Sequence, residues 1–323
     1  MPSRSLLQYL TITAKGLAMG AADVVPGVSG GTIAFISGIY EELIETIHNL
    51  DLGFFKLWRK AGFGTAWKKY NLSFLVALFS GVLISILSLA KLITWLLFNH
   101  PILVWSFFFG LVLASILYVG NQITSRSPKI IIAILIAAAL SYSITLARPF
   151  GSPEDTWFLF LAGFIAIIAM ILPGISGSFI LLLLGAYQSV IGTLTQLGDG
   201  LTKLNWELFS QAFMKLIVFA AGAIVGLKVF SRVLNWMFKH HKNLILAILT
   251  GFMIGALNKI WPWKEVLEYR TSHDGVKVPF LERSILPSTY GDDAQVLYAI
   301  VFAVIGFLSI FLLERIASNK KEM

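Results

Sequence analysis

Two short strings in this chain have the composition of an anion cradle. Pro26-Gly27-Val28-Ser29-Gly30-Gly31-Thr32 and Pro173-Gly174-Ile175-Ser176-Gly177-Ser178 each lie inside an apolar stretch. Proline lacks an N–H and disfavours helix at the preceding residue, while glycine reaches backbone angles that other residues avoid. Serine and threonine are natural N-cap residues. Each string therefore predicts a turn feeding a helix whose first N–H groups are unpaired. Such groups bind anions, phosphate especially, because the donors converge and the helix dipole favours negative charge. The candidate phosphate-binding residues are Gly27, Ser29, Gly30, Gly31 and Thr32 in one string, and Gly174, Ser176, Gly177 and Ser178 in the other. Close helix packing through small residues is the plainer reading of both strings. The hydroxyls beside the glycines in both favour a ligand site.

The strings are copies of each other. At an offset of 147, Gly16 matches Gly163, Ile33 matches Ile180, Gly38 matches Gly185, Tyr40 matches Tyr187 and Ile44 matches Ile191. At an offset of 141, Gly81 matches Gly222, Lys91 matches Arg232, Trp95 matches Trp236, His100 matches His241 and Gly110 matches Gly251. Two blocks in the same order indicate an internal repeat. Helix breakers in duplicated apolar segments point to a transporter site at the repeat interface.

Ionisable residues in apolar sequence are functional candidates by default. Lys91 and Arg232 stand at equivalent positions, each four residues before a Trp. Phosphate contact, snorkelling to the interface and stacking on Trp95 or Trp236 all fit them. Asp23 precedes Pro26 by three residues, and Met170 replaces it in the second copy. That asymmetry suits proton or cation coupling, a salt bridge to Lys91, or a carboxylate holding the turn's own N–H groups. Glu41 is a second coupling or gating candidate. His100 and His241 lie at segment ends and suit interfacial capping. Lys215, Lys228 and Lys259 also interrupt apolar segments, and their faces stay unassigned. No catalytic residue, metal site or bound cofactor is expected.

The elements that must hold these residues are membrane spans. The chain of 323 residues is 57% hydrophobic and 13% charged, with a mean hydropathy of +0.80. A soluble domain carries about 25% charge. Runs of about 20 apolar residues follow one another, which defines a polytopic helical membrane protein and not a barrel. The net charge of +8 lies mostly in short loops, so it reports topology and not nucleic-acid binding. With no Cys, disulfide and thiolate chemistry are excluded. The N-terminus lacks a signal-peptide core, so no cleavage is expected.

Spans are predicted at 73–97, 102–120, 130–147, 208–236, 243–261 and 295–314. The broken segments are 16–47 and 157–197. In the first, about 10 residues precede the break, too few to cross. Basic residues flank it on both sides, with Arg4 and Lys15 before and five Lys/Arg in 56–69 after. It therefore reads as a re-entrant hairpin from the cytoplasm. Alternating sides from there gives 14 Lys/Arg in cytoplasmic loops and six outside, with both termini cytoplasmic. The fold class is thus an all-α polytopic membrane protein of two inverted-topology repeats. The first is 1–150 and the second 151–323, each with one re-entrant helical hairpin and three transmembrane helices. Residues 53–69, aromatic and basic, predict an amphipathic helix on the inner leaflet. Residues 262–294 form an outer loop with a short hairpin around Asp274-Gly275.

The string from Ala18 to Thr32, followed by Gly38-Ile39-Tyr40-Glu41-Glu42-Leu43, resembles the bacterial polyprenyl-phosphate transporter family. Ala169-Met170-Ile171-Leu172-Pro173-Gly174-Ile175-Ser176-Gly177-Ser178 fits the same family. The resemblance covers essentially the whole chain. It implies a flippase that returns undecaprenyl phosphate from the outer to the cytoplasmic leaflet of the bacterial inner membrane. The lipid would be recycled as carrier for peptidoglycan and other envelope glycans. Implied partners are this lipid and its membrane neighbours, with a second copy of the chain left open. One alternative is a membrane undecaprenyl-pyrophosphate phosphatase. Its Pro-Gly-x-Ser-Arg-Ser motif has arginine where Gly30 and Gly177 stand here, and its paired-glutamate motif is not evident. A transporter of a small soluble anion is the other alternative.

Overall fold

The computed structural model describes residues 4–25, 28–147, 155–271, 277–291 and 293–318. Helices α1 (Leu6–Val24), α2 (Gly30–Ile36), α3 (Tyr40–Asn49), α4 (Gly53–Ala61), α5 (Phe63–Lys69), α6 (Leu72–Asn99), α7 (Pro101–Asn121) and α8 (Pro128–Leu146) form the first half. The second half holds α9 (Thr156–Ile171), α10 (Gly177–Leu183), α11 (Tyr187–Thr202), α12 (Trp206–His240), α13 (Lys242–Ala256) and α14 (Val296–Ser318). Strands β1 (Lys264–Thr271) and β2 (Lys277–Ser284) lie between α13 and α14 and pair antiparallel. The protein is therefore mostly helical with one short β-hairpin, in keeping with an all-α polytopic membrane protein. The expected hairpin is present, and its turn at Asp274-Gly275 lies outside the described residues. A polar stretch in water has the backbone partners a sheet needs only if it pairs with itself.

Among the described residues, α6, α7, α8 and α12 are long and apolar enough to cross a membrane. Taking α10 and α11 as one bent span would make five. Four of the six expected spans thus appear at full length. The segment expected at 243–261 is a 15-residue helix, α13, followed by a turn. The segment expected at 295–314 falls within α14. Large apolar side chains stand exposed along α6, α8, α12 and α14, among them Leu87, Ile136, Ile224 and Ile300. A helix surface of that kind suits lipid and not water.

The length argument for the first broken segment does not hold. The helix before the break begins at Leu6, so it spans 19 residues, about 28 Å at the usual rise. A capping box fixes this start, with Ser5 accepting from the Gln8 N–H and the Gln8 side chain accepting from the Ser5 N–H. The direction of packing bears on the same question. Gly16 lies against Leu78 and Gly81, and Gly20 against Val82 and Ser85, so α1 and α6 run parallel. Parallel packing means that the chain between them returns to the end from which α1 started. In the second half, Gly163 faces Phe219 and Ala223 while Gly226 faces Phe164 and Ile167, so α9 and α12 also run parallel.

These close approaches recur at the offsets read from sequence. A Cβ at Gly81 would overlap the Thr13 carbonyl, and one at Gly222 would overlap the Phe160 carbonyl. Thr13 and Phe160 are 147 apart; Gly81 and Gly222 are 141 apart. His100 (φ −136°, ψ 52°) and His241 (φ −137°, ψ 49°) share one conformation at the joints after α6 and α12. Trp95 meets His100 edge-on at 5.7 Å, and Trp236 meets His241 edge-on at 5.1 Å. The two tryptophans thus pack on histidines and not on Lys91 or Arg232. Gly38 and Gly185 both take positive φ at +73° and +70°, which lets the chain turn from α2 into α3 and from α10 into α11.

The halves interlock through helices of both. Besides α1 on α6 and α9 on α12, α8 packs along α13 and α7 along α14. Here too glycine sets the spacing: Gly251 and Gly255 face Ile134 and Ala138, while Gly110 and Gly306 face Ala303 and Phe107. In lipid such packing supplies the association that hydrophobic burial cannot. Tyr40 joins the halves, with its ring against Phe35 at 5.1 Å and Phe238 at 5.9 Å.

The expected surface helix at 53–69 is two helices, α4 and α5, because Gly62 (φ +83°) breaks it. Phe54, Trp58, Phe63 and Trp67 form a continuous ring cluster there, and Lys56, Arg59, Lys60, Lys68 and Lys69 are exposed around it.

Candidate functional site

The two breaks meet. Ser29 Oγ donates to the Met170 carbonyl at 2.9 Å, and the Gly174 N–H donates to Thr32 Oγ1 at 3.1 Å. The Tyr40 hydroxyl donates to the Ile171 carbonyl at 3.1 Å. A Cβ on Gly31 would come 2.6 Å from the Ile171 oxygen, so only glycine allows this approach. Ser29 and Thr32 are buried, 1% exposed each. Irregular backbone of this kind is tolerated inside a membrane only where protein or a cavity satisfies it. Here each tip satisfies part of the other.

The first tip is saturated. The Gly30 N–H donates to Asp23 Oδ1 at 2.6 Å, and the Gly31 N–H to Ser29 Oγ at 3.1 Å. Asp23 therefore occupies the N-terminus of α2 as a built-in anion. The Asp23 carboxylate thus holds one of the turn's own N–H groups. No salt bridge to Lys91 forms among the described residues. Pro26 and Gly27, expected in this cradle, lie outside the described residues.

The second tip is open. Met170 sits beside Gly177, 3.2 Å from the position of an added Cβ, as the Asp23 carboxylate sits beside Gly30. It offers no acceptor. The N–H groups of Gly177 and Ser178 bond to no described residue. Ser176 Oγ and Ser178 Oγ lie 2.8 Å apart. Ser176 does not cap α10. A small cavity of about 10 Å³ lies beside this tip, lined by Gly174, Ser176, Ser141, Thr145, Phe179 and Lys259.

Lys259 is the cation the sequence named without placing. Its Nζ lies 4.9 Å from the Phe179 ring centre and 3.2 Å from Glu282 Oε2 on β2. Glu282 also faces Lys264 at 3.7 Å. Burial would raise the Glu282 carboxyl, but Lys264 and Lys259 outweigh it and hold it below its ordinary value. Burial brings Lys264 down from 10.5 to about 7, with its Nζ 3.4 Å from the Trp105 ring centre.

Lys91 and Arg232 are not brought to the tips. Both are exposed on the outer faces of α6 and α12. Glu41 is exposed as well, in an ion pair with Lys242 at 2.9 Å. Its neighbours pair similarly, Glu42 with Arg4 at 2.6 Å and Glu45 with Lys239 at 3.8 Å. These three pairs tie α3 to the N-terminal segment and to the joint between α12 and α13. Lys228 donates to the carbonyls of Ile47, His48 and Leu50, closing the C-terminal end of α3.

Parallel helix pairs, two broken segments that meet and an apolar outer surface together define a multi-pass membrane protein, and its relatives are transporters. Comparison with known proteins agrees. Residues 19–278 match the family described as VCA0040-like, undecaprenyl phosphate translocase-like, and the chain belongs to it. It is 41% identical over 317 residues to a polyprenyl-phosphate transporter of Vibrio cholerae serotype O1, covering 97% of this chain and 98% of that protein. It is 32% identical over 260 residues to a polyprenyl-phosphate transporter of Staphylococcus aureus, covering 77% and 84%. No solved structure matches.

Proposed function

We propose that this protein carries undecaprenyl phosphate from the outer to the cytoplasmic leaflet of the bacterial inner membrane, by alternating access around the paired tips. The observation that carries this reading is the contrast at the tips. One helix start is filled by a carboxylate of the chain, and its copy leaves the Gly177 and Ser178 amides without an acceptor among the described residues, next to a cavity that Ser176 and the Glu282-paired Lys259 line. A phosphate monoester is the anion that fits free amides, hydroxyls and a cation together. The printed descriptions of the family and of both relatives name this class of lipid. The isoprenoid tail would stay in lipid while the head crosses, and the recovered carrier would serve peptidoglycan synthesis.

The recurring contacts and the parallel pairs α1–α6 and α9–α12 support two inverted-topology repeats, 1–150 and 151–323, each with a re-entrant hairpin. The loop charges support cytoplasmic termini, and the basic ring cluster of α4–α5 supports contact with the inner leaflet. Lys91 and Arg232 are proposed as first contacts for the head at opposite leaflets. Asp23 is proposed as the coupling group: its protonation would loosen the bond to Gly30 and make the first tip resemble the second. Glu41 would act at the surface, as part of the gate formed by the α3 ion pairs.

The test is the leaflet distribution of undecaprenyl phosphate in cells lacking other translocases, with and without this protein. Expression should lower the amount exposed at the outer surface, and an unchanged amount would refute the reading.

A further inference from the structure

A second polar cavity lies away from the tips. It has a volume of about 410 Å³ and sits between the start of α9, one face of α11 and α12. That volume is within the usual range of about 300–1,000 Å³ for small-molecule sites. Asp155, Gln188, Ser189, Thr193, Gln196 and Lys215 line it. Gln188, Gly192 and Gln196 recur every four residues, as do Ser189 and Thr193, so α11 turns one polar stripe toward the cavity. Lys215 lies nine residues inside α12, about two and a half turns. The side chains of Gln188, Gln196 and Lys215 bond to no described residue. All three are exposed at the open face of the cavity, where a polar ligand entering from the side can meet them.

The matching place in the first half is different in kind. Glu41, Glu42 and Glu45 stand where Gln188, Ser189 and Gly192 stand, and Phe74 replaces Lys215. Phe74 is 0% exposed, Arg4 lies 5.6 Å over its ring, and Arg4 and Asn71 both bond Glu42. One half thus offers an open cavity whose cation bonds to no described residue, and in the other the three glutamates are ion-paired and Phe74 fills the space. Exposed apolar side chains flank the open cavity, with Trp157, Phe160 and Leu194 at 65%, 38% and 47% exposure.

We propose that this cavity is the capture site for the phosphate head of a prenyl phosphate, with the tail leaving sideways over that apolar flank. The proposal rests on the transport reading above and adds a separate site, before the tips, that holds the head once Lys91 or Arg232 has met it. The first-half counterpart, filled by Phe74 and closed by ion pairs, offers the head no such site.

The test uses the full chain in nanodiscs, with farnesyl phosphate, farnesol and inorganic phosphate as probes. Lys215→Ala should weaken farnesyl phosphate binding about tenfold or more, the loss of one charge-assisted contact. Lys215→Arg should restore it, and Gln188→Ala with Gln196→Ala should weaken it further. Farnesol should bind poorly, and inorganic phosphate more weakly than farnesyl phosphate. Unchanged binding in Lys215→Ala and in the double variant would overturn the site. Equal affinity for inorganic phosphate would overturn the lipid assignment in favour of a free anion. The leaflet assay on the same variants separates this proposal from the function it rests on. If the wild type moves lipid and Lys215→Ala moves it equally well, the capture site alone fails. If the wild type moves none, the transport reading fails.

Discussion

The two tips share a backbone plan and differ in one side chain that decides their chemistry. At the first, Asp23 reaches the Gly30 N–H seven residues on. At the second, Met170 occupies the same place beside Gly177 and leaves its N–H free. A helix start attracts any carboxylate or phosphate within reach. The first copy supplies its own anion, so it is locked; the second is receptive. The two copies of the motif thus share a frame and differ in charge.

The largest test of the contrast is to erase it. Met170→Asp would place a carboxylate beside Gly177 and fill the open tip. We expect transport to fall by about tenfold or more, the worth of roughly one charge-assisted hydrogen bond, with the protein still monodisperse. Transport at the wild-type rate would break the comparison.

Next in size is the contact between the tips. Gly31→Val would push against the Met170 and Ile171 carbonyls, and overpacking of this kind costs about 1–3 kcal/mol. A lower melting temperature, with loss of transport, is the expected result. The equivalent change at Gly64, where an added Cβ meets nothing within 4 Å, should leave both readings in place.

Asp23 sharpens the comparison from the other side. Asp23→Ala leaves the Gly30 N–H without its acceptor and should lower stability by about 1–3 kcal/mol. Asp23→Asn keeps a carbonyl oxygen there and should melt close to the wild type. If Asp23 couples transport to protons, the Asn variant will also lose the pH dependence of transport in vesicles. Retained pH dependence would leave Asp23 as a cap only.

The smallest effect lies outside the tips, at Lys264. Its ordinary value is 10.5 and burial brings it to about 7. Between those pH values the unfolded chain holds a proton that the folded chain has released, so stability rises with pH across this window. Lys264→Met should flatten that rise in melting temperature between pH 7 and 10. An unchanged slope would remove Lys264 as its source.

Much of the frame was legible in sequence because helix breakers, apolar runs and loop charges act locally. The breaks at 26–32 and 173–178, the spans in α6, α7, α8 and α12 and the β-hairpin all follow from such signals. Other features carry a local signal as well. The Ser5–Gln8 capping box marked the true start of α1. The polar stripe of α11, at helical spacing, was hidden by the apolar residues between its members. Lys91 and Arg232 drew attention through their equivalence, yet both face outward, because equivalence says nothing about which face a residue takes.

The sequence by itself determined that this is a duplicated, polytopic helical protein with two broken segments rich in glycine and hydroxyl groups. It also named the asymmetry of Asp23 against Met170. Only the tertiary structure decided which amides those residues reach, that Ser29 and Thr32 bond the opposite tip, and that Lys259 lies beside the second tip. These depend on contacts between segments up to 142 residues apart. Hydrogen bonds and ion pairs act over a few ångströms, so partner choice is fixed by packing, and no local pattern in the chain encodes it.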